Sequence, residues 1–167
     1  MTEIGLAVPR LLHETRPIVS GRMGAIATPV PRLMLWTFTR ATDPAPVFHK
    51  PMFYAVLQGT KVLTLGQNRF LLSPGDCAAT SFGLPFIAHV EGATPVRPYI
   101  AIGLDLDIDL LITVMLEMPK NENRWVCSAA GGRLDGAVGD AFVRLAGLLS
   151  EPEDLPMLGL QYERELY

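Results

Sequence analysis

Cysteine is scarce in this sequence of 167 residues, which contains only two. Cys77 and Cys127 are too few and too far apart for a disulfide scaffold or a zinc cluster, so we expect a reduced, cytoplasmic setting. Long apolar runs are also lacking, since none approaches the ~20 residues of a membrane-spanning helix. Pro9 and nearby charges interrupt the first residues, which lack the basic start and apolar core of a signal peptide. We therefore expect no membrane partner.

Positive charge is in short supply as well. The sequence has 14 Lys and Arg against 17 Asp and Glu, a formal net charge of -3. No basic run is present that could follow a phosphate backbone, so this chain alone is not expected to hold DNA. Hydrophobic residues make up 49% of the sequence, which is enough for a substantial core. We expect a single domain over residues 1–167.

The region from about residue 20 to 105 shows the pattern of a β-rich fold. Short apolar runs alternate there with Gly, Pro, Asn and Asp, and this spacing predicts several strands that form a barrel or sandwich. The runs are RLMLWTFTR, FYAVLQG, KVLTLGQ, RFLLSPGD, CAATSF, FIAHV and PYIAIGLDL. Hairpins are predicted at Gly59–Thr60 and at Gly66–Asn68.

The region from residue 106 to 167 follows a helical period instead. Residues 108–116 repeat apolar side chains at i, i+3 and i+4, and Asp107 is suited to cap this helix. Val138–Leu149 and Leu155–Tyr167 show similar stripes, while the polar, Gly-rich segment Lys120–Arg133 is interpreted as a loop. The whole sequence thus predicts a mainly β domain followed by helices.

Metal ligands are missing where a related fold would place them. The turns at Gly59 and Gly66 and the SPGD turn of residues 73–76 resemble the cupin barrel, in which two His and a Glu precede the first of these glycines and another His follows the Pro-Gly turn. Here the segment before Gly59 contains only His49. One or two imidazoles cannot complete the shell of a catalytic metal, so neither a metal nor another cofactor is predicted. A barrel without metal can still enclose a pocket for one small molecule.

A closer resemblance covers roughly residues 46–167. The sequence resembles the N-terminal domain of AraC-type transcriptional regulators, with an LQG-K strand end, a PGD turn, a P-Y strand and an L-LD entry into a helix. The matching positions are Gln58, Gly59, Lys61, Pro74, Gly75, Asp76, Pro85, Pro98, Tyr99, Leu104 and Asp105. The closing segment, with RLAGLLSEPED and ERELY, is also similar to that family.

This resemblance implies a fold and a function. The implied fold is a cupin-like barrel, a double-stranded β-helix, followed by a helical segment for dimerisation and linkage. Family members sense a small-molecule effector or a partner through the barrel, often form homodimers, and bind promoter DNA through helix-turn-helix units. A recognition helix with a basic face is not found in this sequence. We therefore expect the chain to be the sensing and assembly portion, with promoter DNA bound through a C-terminal domain that it lacks.

Candidate ligand-binding residues are aromatic and imidazole side chains on the predicted strands. Each could instead be an ordinary core or surface residue. The set comprises Trp36, Phe38, His49, Tyr54, His89 and Tyr99. Asp76 is interpreted as a turn former rather than a base, and Lys61 and Arg69 as solvated charges on a strand edge.

Candidate dimer-interface residues lie on the second helical stripe. They are Phe142, Leu145, Leu148 and Leu149, and Leu148 makes the apolar surface wider than one partner needs. The alternative is that Leu155–Tyr167 covers this surface within one chain.

Two other functions stay open at this point. A metal-free cupin-type enzyme would need an acid and base pair, for which Asp76, His49 and His89 are the only candidates. An assembly module would have a barrel filled by its own side chains.

Overall fold

Two antiparallel β-sheets face each other in the computed structural model, which describes residues 7–80, 83–117 and 129–167. The strands are β1 (Gly24–Ala27), β2 (Leu33–Phe38), β3 (Ala45–His49), β4 (Met52–Gln58), β5 (Thr60–Leu65), β6 (Asn68–Leu72), β7 (Asp76–Thr80), β8 (Leu84–Glu91), β9 (Tyr99–Asp105) and β10 (Ala129–Arg133). One sheet has the order β1-β2-β9-β4-β7-β10 and the other the order β3-β8-β5-β6. This is the expected cupin-like sandwich.

Helices complete the fold. They are α1 (Ala7–Val19), α2 (Ile108–Glu117), α3 (Gly136–Gly147) and α4 (Leu155–Arg164), with a short 3₁₀ turn at Pro152–Asp154. Asp107 caps α2 as predicted, because its Oδ1 accepts hydrogen bonds from the backbone N–H groups of Asp109 and Leu110 at 3.0 and 3.1 Å. In the described part of the chain, no helix is long and apolar enough to cross a membrane.

The larger sheet has a separate core on each face, and β4 contributes to both. Met52, Tyr54 and Val56 face the smaller sheet, whereas Ala55 and Leu57 face the helices. Side chains alternate across a strand, so a strand buried on both faces needs apolar residues at almost every position. The sequence MFYAVLQ meets this requirement, and β4 lies in the interior of its sheet.

The helical layer packs against the outer face of the larger sheet. α1 contacts α3, β2 and β4, and α3 also contacts α4. Phe142 is fully buried beneath these elements, with its ring centroid 4.9 Å from that of Phe53. The apolar stripe predicted on α3 is therefore an internal packing surface of the chain.

The predicted strands β2 and β4–β9 are confirmed, but one predicted hairpin is wrong. β5 and β6 form the hairpin expected at Gly66, pairing Leu65 with Asn68. β4 and β5 instead belong to different sheets, and the chain crosses between them at Gly59. Gly59 has φ +81°, and a Cβ there would lie 3.0 Å from Tyr99 Cα, so only glycine suits this crossing. A turn residue between two strands does not by itself show whether they pair.

Several elements were not predicted. They are α1, β1, β3 and β10. β10 lies inside the segment interpreted as a loop, so that interpretation is wrong for residues 129–133, which pair with β7. Residues 120–128 of that predicted loop lie outside the described residues. Because β10 returns to the larger sheet, the division into a β region and a later helical region is not strict.

Candidate ligand-binding site

A cavity of about 540 Å³ lies between the two sheets. Its walls come from β2, β3, β4, β5 and β8 and are mostly apolar, with Trp36, Phe38, Val47 and Met52 among them. A second cavity of about 130 Å³ adjoins it, deeper among Leu63, Leu72, Phe86 and neighbouring apolar residues. His49, Met52 and Tyr54 border both cavities, so these three side chains stand where the two meet.

The structure brings five of the six predicted ligand-binding residues to the larger cavity, with His89 at its border and the other four on its walls. Trp36, Phe38, His49 and Tyr54 all line it. Trp36 and Phe38 share the face of β2 that points between the sheets, because they are two residues apart. The rings of Trp36 and Tyr54 are tilted, with centroids 5.3 Å apart. Whether these side chains bind a ligand stays a prediction.

Tyr99 lies behind the cavity wall rather than on it. It is fully buried on β9, and its hydroxyl forms a hydrogen bond with the hydroxyl of Tyr54. Burial raises the pKa of both phenols, so both are neutral at pH 7. Tyr99 thus supports the Tyr54 side chain from behind the cavity wall.

His49 is held between aromatic rings. Its imidazole centroid lies 5.9 Å from the ring of Tyr54 and 5.1 Å from that of Phe86, edge to face in both cases. Burial, with a smaller contribution from the positive charge of Lys61, lowers the pKa of His49 to about 4. The imidazole is therefore neutral at pH 7 and adds no charge to the cavity.

His89 borders the cavity, but its side chain is engaged elsewhere. Its Nε2 lies 3.1 Å from Glu91 Oε1, and Arg69 Nη2 donates to the same oxygen at 3.2 Å. On β8, Phe86 and Ala88 face the interior, so His89 has the opposite parity and belongs to the outer surface. This position favours the surface interpretation of His89.

Lys61 is the site residue that the sequence analysis missed. It was interpreted as a solvated edge charge, but the side chain is only partly exposed and lines the larger cavity. Its Nζ lies 3.3 Å from Tyr54 Oη and 4.4 Å from the centre of the Tyr54 ring. Burial lowers the pKa of Lys61 to about 8. A signal was available, because Lys61 has the same parity along β5 as the interior residues Leu63 and Leu65.

Asp76 behaves as a turn former, as interpreted. Its Oδ2 accepts a hydrogen bond from the backbone N–H of Ser73 at 2.8 Å. Its Oδ1 accepts a hydrogen bond from Arg133 Nη1 at 2.6 Å, which joins the SPGD turn to β10. Asp76 does not line the main cavity and is paired with a cation, so its position does not support a role as a base.

The cavity does not fit the metal that many cupin barrels hold. Within the described ranges, His, Cys, Asp and Glu do not come together in any group of three that could bind a metal ion. Among the described residues, His49 is the imidazole that contacts the aromatic interior, and the charged group that acts on its pKa is the cation Lys61. Such surroundings repel a second positive charge.

The predicted dimer-interface residues are buried inside the single chain, and we correct that assignment here. Phe142, Leu145 and Leu148 have 0%, 1% and 2% exposure, and Leu149 packs at the edge of the same core. The missed helix α1 contacts α3 and, with α4 and the larger sheet, supplies the cover. A second subunit is therefore not needed to bury this stripe.

The fold and the cavity define a cupin-like sandwich in which a cavity between the sheets is lined mainly by aromatic and aliphatic side chains. Residues 29–167 match the family described as AraC-type transcriptional regulator N-terminus. The chain belongs to this family. No curated protein matches the sequence significantly.

Several solved structures are similar to this chain at low sequence identity. ToxT of Vibrio cholerae, solved with an unsaturated fatty acid bound, matches 78% of this chain and 51% of its own with 5% identity and a TM-score of 0.53. The AraC-like transcriptional activator CuxR matches 82% of this chain and 49% of its own with 15% identity and a TM-score of 0.45. A cupin superfamily protein of Desulfitobacterium hafniense matches 54% of this chain and 84% of its own with 16% identity and a TM-score of 0.41. The chain thus spans about half the length of the two regulators.

Proposed function

We propose that this chain is the effector-sensing domain of a cytoplasmic AraC-type transcriptional regulator, and that the effector binds in the cavity between the sheets. The observation that carries this proposal is the cavity of about 540 Å³ with aromatic walls and a few inward polar groups. Sites for small organic molecules are typically concave, largely apolar and ~300–1,000 Å³ in volume. Promoter DNA would be bound by a further domain of the regulator.

The cavity also bears on the two alternatives. An assembly module with an occluded barrel would have this space filled by Leu, Phe and Met side chains, whereas the described residues leave it open. An enzyme would need an acid and a base near each other, but Asp76 and His89 are both engaged away from His49. Binding is therefore the function that this geometry supports best.

ToxT lends support to a small-molecule effector. It is similar in fold to this chain, and its structure contains a bound unsaturated fatty acid. This likeness is compatible with a small-molecule effector for the present chain.

A neutral fluorescent dye tests whether the cavity binds small molecules. We expect Nile red to bind with a stoichiometry near one per chain and to lose most of its affinity in Ala88→Phe, because Ala88 lines the cavity and the larger ring fills part of it. Ala137→Phe, on the exposed side of α3, serves as the matched control and leaves binding unchanged. Equal binding by all three proteins would show that the dye occupies another surface and would contradict the proposal.

We retain self-association as a proposal, on a different surface. α2 has no buried residue, and Ile112, Met115 and Leu116 are exposed on it. Regulators that bind paired promoter half-sites work as two-fold dimers, in which the same patch of both subunits meets. A second copy of this chain that packs α2 against α2 would cover these side chains.

Sedimentation equilibrium tests this interface. Leu116 is 81% exposed, so Leu116→Glu removes apolar surface without disturbing the core. We expect the wild type to be a dimer and this variant to be a folded monomer. Val96→Glu, at a residue 96% exposed outside the helices, is the control and keeps the dimer. A monomeric wild type, or a dimer that survives Leu116→Glu, contradicts the proposed interface.

A further inference from the structure

Lys61 places a positive charge in the cavity, and no carboxylate of the described residues forms an ion pair with it. An ammonium group has three N–H donors, and Tyr54 Oη is the one acceptor found for them among the described residues. Interior cations are normally paired, because removal from water costs free energy that a counter-ion offsets. The Lys61 ammonium therefore has N–H donors left to bind an anionic group of a ligand.

We propose that the effector is an organic monocarboxylate with an apolar body, and that its carboxylate binds Lys61 Nζ beside the Tyr54 hydroxyl. This inference rests on the proposed function, because it assumes that the cavity binds a small molecule. Lys61 donates to one carboxylate oxygen as a charge-assisted hydrogen bond, and the ring of Tyr54 holds the ammonium in place.

The charged side chains around the cavity favour a ligand with one negative charge over a ligand with two. His49 is neutral at pH 7, so Lys61 is the interior cation at this position. Lys50 also lines the cavity but is exposed, and the same holds for Asp43, while Asp105 is partly buried. Both carboxylates repel any anion in the cavity, so one negative charge held directly at Lys61 is disfavoured less than two. A phosphate dianion would keep one charge unpaired, which is costly away from water.

The rest of the lining matches an apolar body. Trp36 and Phe38 supply one aromatic wall, and Val47 and Met52 add aliphatic surface. The smaller cavity continues past His49 and Met52 among apolar side chains, which leaves room for a ring or a short chain to extend inward. A carboxylate at Lys61 with its hydrocarbon part against these walls leaves few polar groups unsatisfied.

A matched pair of probes tests the charge requirement. 4-Phenylbutyrate and 4-phenylbutanamide have nearly the same shape but differ in charge, and each is used to displace Nile red from the wild-type protein. We expect the carboxylate to displace the dye at a concentration about tenfold lower than the amide, since a hydrogen bond to a charged group is worth at least that factor. Lys61→Met should remove this preference while Nile red still binds, and Lys61→Arg should keep part of it. Arg40→Met, which removes an exposed cation that does not line the cavity, should keep all of it.

The outcomes separate this inference from the proposed function. If Nile red does not bind the cavity, the proposed function fails and the inference fails with it. If Nile red binds but the acid and the amide displace it equally, the cavity binds small molecules and the carboxylate assignment is wrong. If the preference for the acid persists in Lys61→Met, another group recognises the anion and the assignment to Lys61 is overturned.

Discussion

Two ionisable side chains, Lys61 and His49, border the cavity, and the pKa of each is lowered from its ordinary value. The positive charge of Lys61 adds to burial in lowering the pKa of His49 to about 4. Burial lowers the pKa of Lys61 itself to about 8. Of these two groups, Lys61 is the charged one at neutral pH, and an anion bound beside it would stabilise that charge.

The neutral state of His49 predicts a loss of stability in acid. Its pKa is about 4 in the folded chain and 6.5 in the unfolded chain, so its contribution is present above pH 6.5 and is lost as the pH falls toward 4. We expect the free energy of unfolding to fall by about 2 kcal/mol more in the wild type than in His49→Gln between pH 7 and 4.5. Urea unfolding at both pH values measures this. His13→Gln, at an exposed helix position, should behave like the wild type, and equal slopes in all three proteins would contradict the assignment.

Replacement of Lys61 by Met is expected to raise the stability of the protein but to remove its preference for a carboxylate. Lys61→Met removes an ammonium group that burial disfavours, so we expect the free energy of unfolding at pH 7 to rise by about 1–3 kcal/mol. The folded pKa of about 8 lies below the unfolded value of 10.5, so the wild type gains stability as the pH rises above 8 and the gap to Lys61→Met narrows. Urea unfolding at pH 7 and 9.5 checks both points. Lys50→Met is the control, and a Lys61→Met variant less stable than the wild type would contradict this account.

At the residue scale, the sequence predicted apolar walls better than it predicted the charge. The sequence analysis placed Trp36, Phe38 and Tyr54 on the cavity wall because aromatic side chains on strands often point into a barrel interior. Lys61 was missed because a lysine on a strand is usually solvated. The alternation of side chains along β5 places Lys61 on the same face as Leu63, so the sequence did indicate that Lys61 points inward.

At the scale of elements, α3 depends on α1 and the larger sheet. Leu148 follows α3 and is 2% exposed, so Leu148→Glu would bury an unpaired carboxylate. We expect this variant to lose more than about 3 kcal/mol of stability or to fail to fold. Val138→Glu, on the exposed side of the same helix, should change stability by less than about 1 kcal/mol. Thermal unfolding followed by circular dichroism compares the two, and a stable, folded Leu148→Glu would contradict the packing described.

A polar cluster joins α4 to the start of β2 and to α2. Arg32 Nε donates to Glu163 Oε1 at 2.9 Å, its Nη1 lies 3.5 Å from Asp107 Oδ2, and the Tyr167 hydroxyl donates to Glu163 at 2.9 Å. Glu163 is the one buried charged residue in the described part of the chain. The cluster thus fixes the end of α4 against the sandwich.

Removal of the buried carboxylate should loosen this contact. We expect Glu163→Ala to lower the free energy of unfolding by about 2–4 kcal/mol, because Arg32 loses its main partner. Glu153→Ala, in the exposed turn before α4, should cost less than about 0.5 kcal/mol. Guanidinium unfolding of both variants measures the difference, and similar values for the two would show that the cluster adds no stability.

The elements that could be predicted are those whose period is regular. β2, β4–β9 and the three later helices repeat apolar residues at the spacing of strands or helices. β10 has the sequence AAGGR, which carries no such period, and it exists because its backbone pairs with β7. α1 was missed because Pro17 and several charged residues interrupt its apolar pattern. Its apolar side includes Leu11 and Val19, which are buried. The sheet crossing at Gly59 depends on partners that are distant in sequence.

At the scale of the whole molecule, the larger sheet separates two apolar regions with different roles. One face packs on α1, α3 and α4, and this core is closed by the chain itself. The other face, opposite the smaller sheet, leaves a cavity. Alternate residues of β4 serve both faces, so a ligand against Met52 and Tyr54 contacts the same strand that supports the helices. The account thus places binding on one side of this sheet and a closed helical core on the other.

The central claim is that a small molecule binds between the sheets, and methionine methyl groups can locate it. Met34 and Met52 line the cavity, whereas Met23, Met115 and Met157 are exposed elsewhere. With ¹³C-labelled methionine methyl groups and 4-phenylbutyrate as the probe, we predict intermolecular nuclear Overhauser effects to Met34 and Met52 that disappear in Ala88→Phe. Effects confined to the exposed methionines, or unchanged in Ala88→Phe, would contradict the account.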